Sequence, residues 1–350
     1  MKNKSETLPF RTIPVNQAVG TTLAHDMTRI IPGDYKGPAF RKGHTVSCSD
    51  VCQLMRMGKK NLYVLDLDEN QVHEDDAVME LASALAGPGV TFSGSPREGK
   101  LELLAAYSGL FKVNRQALED FNMFQDVMCA SIHDNNAVEN GQSLAATRAI
   151  PLVIQRKHLD DAVAFAKAHY PIFSVKVFNP LKIRLIITGD EVYQGLIKDA
   201  FQAVVRKKVT TLGATLEESI ILPDNRDMIS HQVRDYLDKD TDIIITTGGM
   251  SVDPDDVTKA GIEDAGFDEL HYSAAVLPGA MFLLGYRGEK IVIGLPACGL
   301  YHRITVFDLI LPRLIAGEKP SKRDLARLSH GGLCLNCKPC RFPQCSFGKA

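Results

Sequence analysis

From Lys182 onward the chain alternates short aliphatic, β-branched runs with helix-period segments, and this constrains its fold more than any other feature. KIRLIITG (182–189) reads as a buried strand. LIKDAFQAVVRKKVTTLG (196–213) puts Ile197, Ala200, Phe201, Val204 and Val205 on one helical face before Gly213, a residue suited to closing a helix. SIIL, DMISHQVRDYL and DIIITTGG continue as strand, helix and strand. They are followed by a helix from Pro254, a strand-like ELHYSAAVL, the strand KIVIGL and the helix YHRITVFDLIL. Such alternation predicts βαβ units: an α/β domain built as a three-layer parallel sheet with helices on both faces.

In sheets of this kind ligands sit where loops leave the carboxyl ends of the strands. Three such loops stand out: TGDE at 188–191, TGGMSVDPDD at 247–256 and GLPACG at 294–299. Paired glycines at a strand end permit positive φ and let a ligand approach bare backbone N–H groups. The following helix offers N–H donors to an anion. This is neither the dinucleotide fingerprint nor the phosphate loop ending in Gly-Lys-Ser/Thr. A purely structural reading also fits, with Asp253 as N-cap, Pro254 at N1, Asp255 as a solvated N2 residue, Asp256 at N3 and Gly266 closing the helix. Capping does not account for TGDE as well, and carboxylates at Asp190, Glu191 and Asp256 suit a hard divalent cation that could hold phosphates.

The 350-residue length exceeds that of one typical domain, so two or three are expected. A net charge of −2 gives no bulk attraction for nucleic acid or anionic membrane. The start MKNKSETLPFRTIPV lacks the apolar core of a signal peptide, and no run approaches the roughly 18 apolar residues of a membrane span. The expectation is a cytoplasmic protein with no nucleic-acid or membrane partner.

Residues 1–75, broken by Gly and Pro, read as a β-rich module with one helix near 49–57. Residues 76–175 read as a mixed α/β region, with helices over 75–86, from Asn114, and over 159–169. Phe121, Met123, Phe124 and Met128 have the spacing of a helical core stripe rather than a binding stripe. His25 and Cys129 are expected to be structural. The α/β domain is assigned to 176–318 and a Cys-rich tail to 319–350.

The segment 182–315 resembles the MoeA/MogA-like molybdopterin-binding family, found in the enzymes that adenylylate molybdopterin and those that insert molybdate into it. The resemblance rests on strand-TGDE with Gly195 after it, strand-TTGG followed by Ser251 and Asp256-Val257, the Pro278-Gly279 pair, and Gly294-Leu295-Pro296 before the last helix. IPVNQAVGTTLAHDMT and KGPAFRKGH are only loosely similar to the companion domains of the molybdate-inserting members.

The resemblance implies a role in molybdenum cofactor biosynthesis, with molybdopterin or its adenylate bound by Thr188, Gly189, Glu191, Gly248, Gly249, Met250, Ser251, Pro278, Gly279, Gly294, Leu295 and Pro296. Asp190 and Asp256 take the catalytic role with Mg2+. Molybdate, an ATP or AMP moiety and a homo-oligomer follow from the same likeness, while a molybdoenzyme partner belongs to the non-catalytic alternative. The chain departs from the pattern at Asp253 in place of Gly, at PGAM in place of Pro-Gly-Lys-Pro, so that Ala280 supplies no cation, and at GLPACG, which puts Ala297 and Cys298 in the last loop. Losing a lysine from an oxyanion site removes charge stabilisation. The departures favour binding over turnover, and a non-catalytic carrier or a metal- or redox-responsive accessory protein stays as the alternative.

HGGLCLNCKPCRFPQCSFGKA ends the chain with Cys334, Cys337, Cys340 and Cys345 in C-x2-C-x2-C-x4-C spacing. Four such thiolates suit Zn2+ or an iron–sulfur cluster, with His330 as a spare ligand. Unligated thiols on a flexible tail are the plainer reading. Lys322, Arg323, Lys338 and Arg341 make the tail locally basic.

Overall fold

A computed structural model describes residues 10–31, 35–65, 68–92, 94–97, 99–150, 152–251, 253 and 256–349. The chain divides into two compact units, one comprising 1–106, 113–132 and 140–174, the other 107–112, 133–139 and 175–350.

In the first unit Phe10–Pro14 pairs antiparallel with Asn61–Leu65, and Met27–Ile31 with Tyr35–Phe40. The helix Cys48–Arg56 starts at Ser47, which forms a capping box with Asp50. A sheet ordered Val90–Phe92, Lys100–Ala105, Ser143–Ala149, Val127–Ser131 packs against the helix Glu74–Leu85, which also packs on Arg156–Ala168. His73 is buried at the start of that helix. Its Nε2 lies 2.9 Å from the Ala24 carbonyl, and its Nδ1 lies 2.8 Å from Lys42 Nζ and accepts from the Asp75 N–H at 3.1 Å. Burial is the main force holding this imidazole below its ordinary pKa.

The helix expected from Asn114 is shorter than its sequence suggests. It runs Arg115–Phe121, and Val127–Ser131 is a strand instead. Asn122 ends the helix, its amide donating to the Cys129 carbonyl while its carbonyl accepts the Cys129 N–H, and Asp126 turns the chain at φ 67°. The apolar stripe is accordingly split: Phe121 is fully buried, whereas Met123 is 84% exposed. Cys129 is buried, and desolvation pushes its thiol up to about 12, an inert core position.

The second unit is built on a six-stranded sheet ordered Thr215–Leu222, Lys182–Thr188, Ile243–Thr247, Lys290–Leu295, Leu283–Arg287, Glu269–Tyr272. The first four strands run parallel, and Leu283–Arg287 pairs antiparallel with both Lys290–Leu295 and Glu269–Tyr272, so the sheet is mixed and not wholly parallel. The antiparallel Leu283–Arg287 was not anticipated. It returns through the tight Gly288 turn, which is too short for a helix crossover.

Alternation along the strands decides the two faces. Ile183, Leu185, Ile243, Ile245, Ile291 and Ile293 pack against the helices Phe201–Thr211 and Val306–Ile315. Ile186, Ile244, Leu283 and Val292 pack against Arg226–Asp238 and Thr258–Asp264. This is the three-layer arrangement that a central strand buried on both sides requires. The segments 107–112 and 133–139 join this unit as short antiparallel strands, Ala137 facing Leu110.

Beside the sheet, Glu318 receives Lys112, Lys176 and Arg313 at 2.9, 3.0 and 2.8 Å. Burial raises this carboxyl, but the three cations outweigh it and hold Glu318 at about 2. No helix of the described residues is long and apolar enough to cross a membrane.

Candidate functional site

The parallel strands ending at Thr188, Leu222, Thr247 and Leu295 deliver their following loops to one edge of the sheet. Between them lies a cavity of about 290 Å³, lined by Gly248, Gly249, Met250, Ser251, Asp256, Ala280, Met281, Pro296, Ala297 and Cys298. Three separate segments of the sequence thus meet there.

The glycines of TGG are required twice over. Gly248 (φ 86°) and Gly249 (φ 50°) both adopt the left-handed backbone that other residues resist. A Cβ at Gly248 would strike the Thr188 carbonyl, and one at Gly249 the Thr258 hydroxyl. Below the loop, Thr188 Oγ1 donates to the Thr247 carbonyl at 3.0 Å and lies 2.8 Å from Thr258 Oγ1. Thr188 is therefore a buried support and does not line the cavity. Met250 is also buried, its carbonyl accepting from Tyr272 Oη at 2.8 Å. Ser251 is exposed and free to meet a ligand.

The Pro278-Gly279 pair, with the residues after it, and the GLP triplet divide between support and lining. Gly279 (φ 120°) lies where a Cβ would strike Val306, and the Pro278 carbonyl accepts the Val306 N–H at 3.3 Å. Gly294 packs on Met250, and Leu295 is core. From these loops only Ala280, Met281, Pro296, Ala297 and Cys298 reach the cavity. Burial raises the Cys298 thiol, so it stands as a neutral group and not a thiolate.

The acidic residues separate. Asp256 lines the cavity, whereas Asp190 and Glu191 open the one-turn helix Asp190–Tyr193 behind Gly189 (φ 146°). Asp190 exchanges two bonds with a residue that sequence reasoning overlooked. The Asp190 N–H donates to Asp224 Oδ2, and the Asp224 N–H to Asp190 Oδ1, both at 3.1 Å. The overlooked signal was positional: Asp224 follows SIIL at a fourth strand end, in the same kind of place as TGDE.

Asp224 Oδ1 is buried without a hydrogen-bond partner. Burial raises this carboxyl, the Asp190 N–H opposes that, and the charges of Asp190, Glu191 and Asp256 push it higher.

Asp253 does not cap the helix, contrary to the expectation from the acidic run. The helix starts at Thr258 with Val257 at its N-cap and no side-chain cap. Asp253 and Asp256 instead close a local turn, the Asp253 N–H donating to Asp256 Oδ2 at 3.2 Å and the Asp256 N–H to the Asp253 carbonyl at 3.0 Å. Pro254 and Asp255 lie outside the described residues. Gly266 does close the helix, at φ 83°.

Neither metal expectation finds its ligands gathered. Among the described residues no three His, Cys, Asp or Glu side chains converge to hold an ion. The chemistry of the four carboxylates suits magnesium, but their placement does not bring three to a point. Cys334, Cys337, Cys340 and Cys345 are likewise free thiols. The tail is instead knitted to the domain: the Cys334 N–H donates to the Leu277 carbonyl, and Phe347 is buried in the core with Cys334 and Cys345 packed beside it.

Residues 184–316 match the family model described as "Probable molybdopterin binding domain". Residues 12–66 match one described as "Domain of unknown function (DUF8806)". The chain is 28% identical over 166 residues to a molybdopterin molybdenumtransferase of Haemophilus influenzae, covering 43% of this chain and 39% of the relative. It is 33% identical over 85 residues to a CinA-like protein of Frankia casuarinae, covering 24% of this chain and 19% of the relative.

Of solved structures, a molybdopterin biosynthesis MoeA protein from Pyrococcus horikosii aligns over 73% of this chain and 80% of its own, at 17% identity and TM-score 0.33. The chain thus spans well under half the length of these curated relatives. The sheet covered by helices on both faces, with a glycine-lined cavity at the carboxyl ends of its parallel strands, defines an α/β domain. The match to the molybdopterin-binding family model, residues 184–316, takes in every residue that lines this cavity.

Proposed function

We propose that the domain binds molybdopterin or its adenylate, and that the chain acts in molybdenum cofactor biosynthesis at molybdate insertion. One observation carries this reading: Gly248, Gly249, Ser251 and Asp256 border a single cavity within the segment that matches the molybdopterin-binding family. The backbone left bare at the two glycines and the hydroxyl of Ser251 supply donors for the terminal phosphate of the pterin. Asp256 supplies a carboxylate on the same wall, able to accept a hydrogen bond from the ligand or to orient a water. Asp190 and Asp224 position the neighbouring loop.

The test uses the whole chain, purified anaerobically, with any bound pterin oxidised to its fluorescent form and molybdenum assayed in the same sample. Pterin should co-purify. Asp256→Asn should lower molybdate insertion at least a hundredfold while leaving the thermal melt unchanged. Absence of pterin, even after incubation with molybdopterin, would remove the binding reading, and undiminished turnover would remove the role of Asp256.

A non-catalytic carrier is the second reading, favoured by the lining of the cavity. Among the described residues that line it there is no lysine or arginine, and Ala280 occupies the wall where the resembling enzymes place a lysine. Pterin bound without any insertion would support that reading over the first.

A further inference from the structure

A larger cavity, of about 590 Å³, opens on the face of the sheet covered by Phe201–Thr211 and Val306–Ile315. Its volume falls in the range of about 300–1,000 Å³ typical of small-molecule sites. Leu212, Leu300, Leu311 and Phe342 give it apolar walls. Phe342 comes from the cysteine-rich tail and has Lys349 over its ring at 5.8 Å from the centroid.

The charges at the rim are unequal. Lys208 is neutralised, its Nζ lying 2.5 Å from Asp308 and donating to the Arg303 carbonyl at 3.0 Å. Lys207 and Arg303 are exposed, line the same cavity, and face no carboxylate there apart from the already paired Asp308. The residue of charge is two positive groups beside an apolar hollow, with Thr211 and His302 as further hydrogen-bonding groups.

We propose that this cavity is a second ligand site that takes an aromatic phosphate monoester. Two cations match the charge of roughly −1.5 to −2 that a phosphate monoester carries at neutral pH. A flat ring fills the hollow against Phe342 and the leucines, where aromatic contact adds to area burial. On this account the tail forms a wall of a binding site. The site is distinct from the cavity bordered by Gly248 and Asp256, and the proposal does not depend on molybdopterin binding there.

The chain contains no tryptophan, so a fluorescent probe gives a clean signal. Riboflavin 5′-phosphate is titrated against the full chain, with adenosine 5′-monophosphate as competitor and with riboflavin and inorganic phosphate as probes lacking one half of the recognition. The expected result is saturable binding of riboflavin 5′-phosphate or adenosine 5′-monophosphate, with riboflavin and phosphate each at least tenfold weaker. Which of the two binds tighter identifies the ring class.

Lys207→Glu combined with Arg303→Glu should weaken binding at least tenfold, and Leu212→Trp, which fills the hollow, should do the same without altering charge. Asp256→Asn should leave it unchanged. The proposal is overturned by no binding at millimolar probe, by binding indifferent to both the charge reversal and the filling variant, or by binding lost in Asp256→Asn.

Discussion

Asp224 concentrates the electrostatic tension of the acidic loop edge. One of its oxygens accepts from Asp190, the other is buried without a partner, and three neighbouring carboxylates repel its charge. Its pKa is raised in the fold, so folding opposes its ionisation. The associated stability is complete below the ordinary aspartate range and is lost as pH rises through the raised value. Asp224→Asn keeps the acceptor for the Asp190 N–H and removes the charge. The melting temperature of this variant should exceed that of the parent at pH 7, and the two should converge near pH 3, as measured by thermal melts across pH. A variant less stable at pH 7 would show that the ionised carboxylate is held by favourable contacts. His73 has the opposite dependence: its pKa is depressed, so its contribution is present above the ordinary histidine range and is lost on acidification.

For the elements, the strand-to-loop transitions matter most. The TGG loop can pass over Thr188 and Thr258 only because Gly248 and Gly249 lack side chains. Gly248→Ala combines a left-handed backbone with a clash against the Thr188 carbonyl, and should cost about 2–3 kcal/mol in denaturant unfolding. Gly213→Ala has the same sign of φ but open space around it, and should cost only about 1 kcal/mol. Equal costs would mean that the loop yields to the added methyl group. Much at this scale was legible from residues 182–311, because buried strands and amphipathic helices carry their periods in sequence. The antiparallel strand Leu283–Arg287 was not, since LLGYR is short and is broken by Gly285, although the polar RGEK turn ahead of Ile291 is a hairpin signal. Nor was the helix start at Thr258, because a run of acids satisfies capping preferences equally well when it folds into a separate turn.

Across the whole second unit, distant segments are tied to the sheet by core packing more than by ligation. Phe347 lies in the main core, and a Cβ at Gly348 would strike Leu309. Phe347→Ala should cost about 3–5 kcal/mol through the cavity it leaves. Cys337, an exposed thiol, should tolerate serine within about 0.5 kcal/mol. A large loss of stability in Cys337→Ser, measured in the same melts, would show that the tail is held by a metal.

The alternating α/β order, the paired glycines free to take left-handed backbone and the loops leaving the strand ends are legible in the sequence alone, because strand period, helix period and left-handed turns are local properties. The tertiary structure alone decided which residues of those loops line the cavity, since Thr188, Gly279 and Leu295 spend their side chains or backbone on support while Ala280, Met281 and Cys298 face the opening. It also brought Asp224 to Asp190 and Phe342 to Leu212, pairings across 34 and 130 residues that no local pattern encodes.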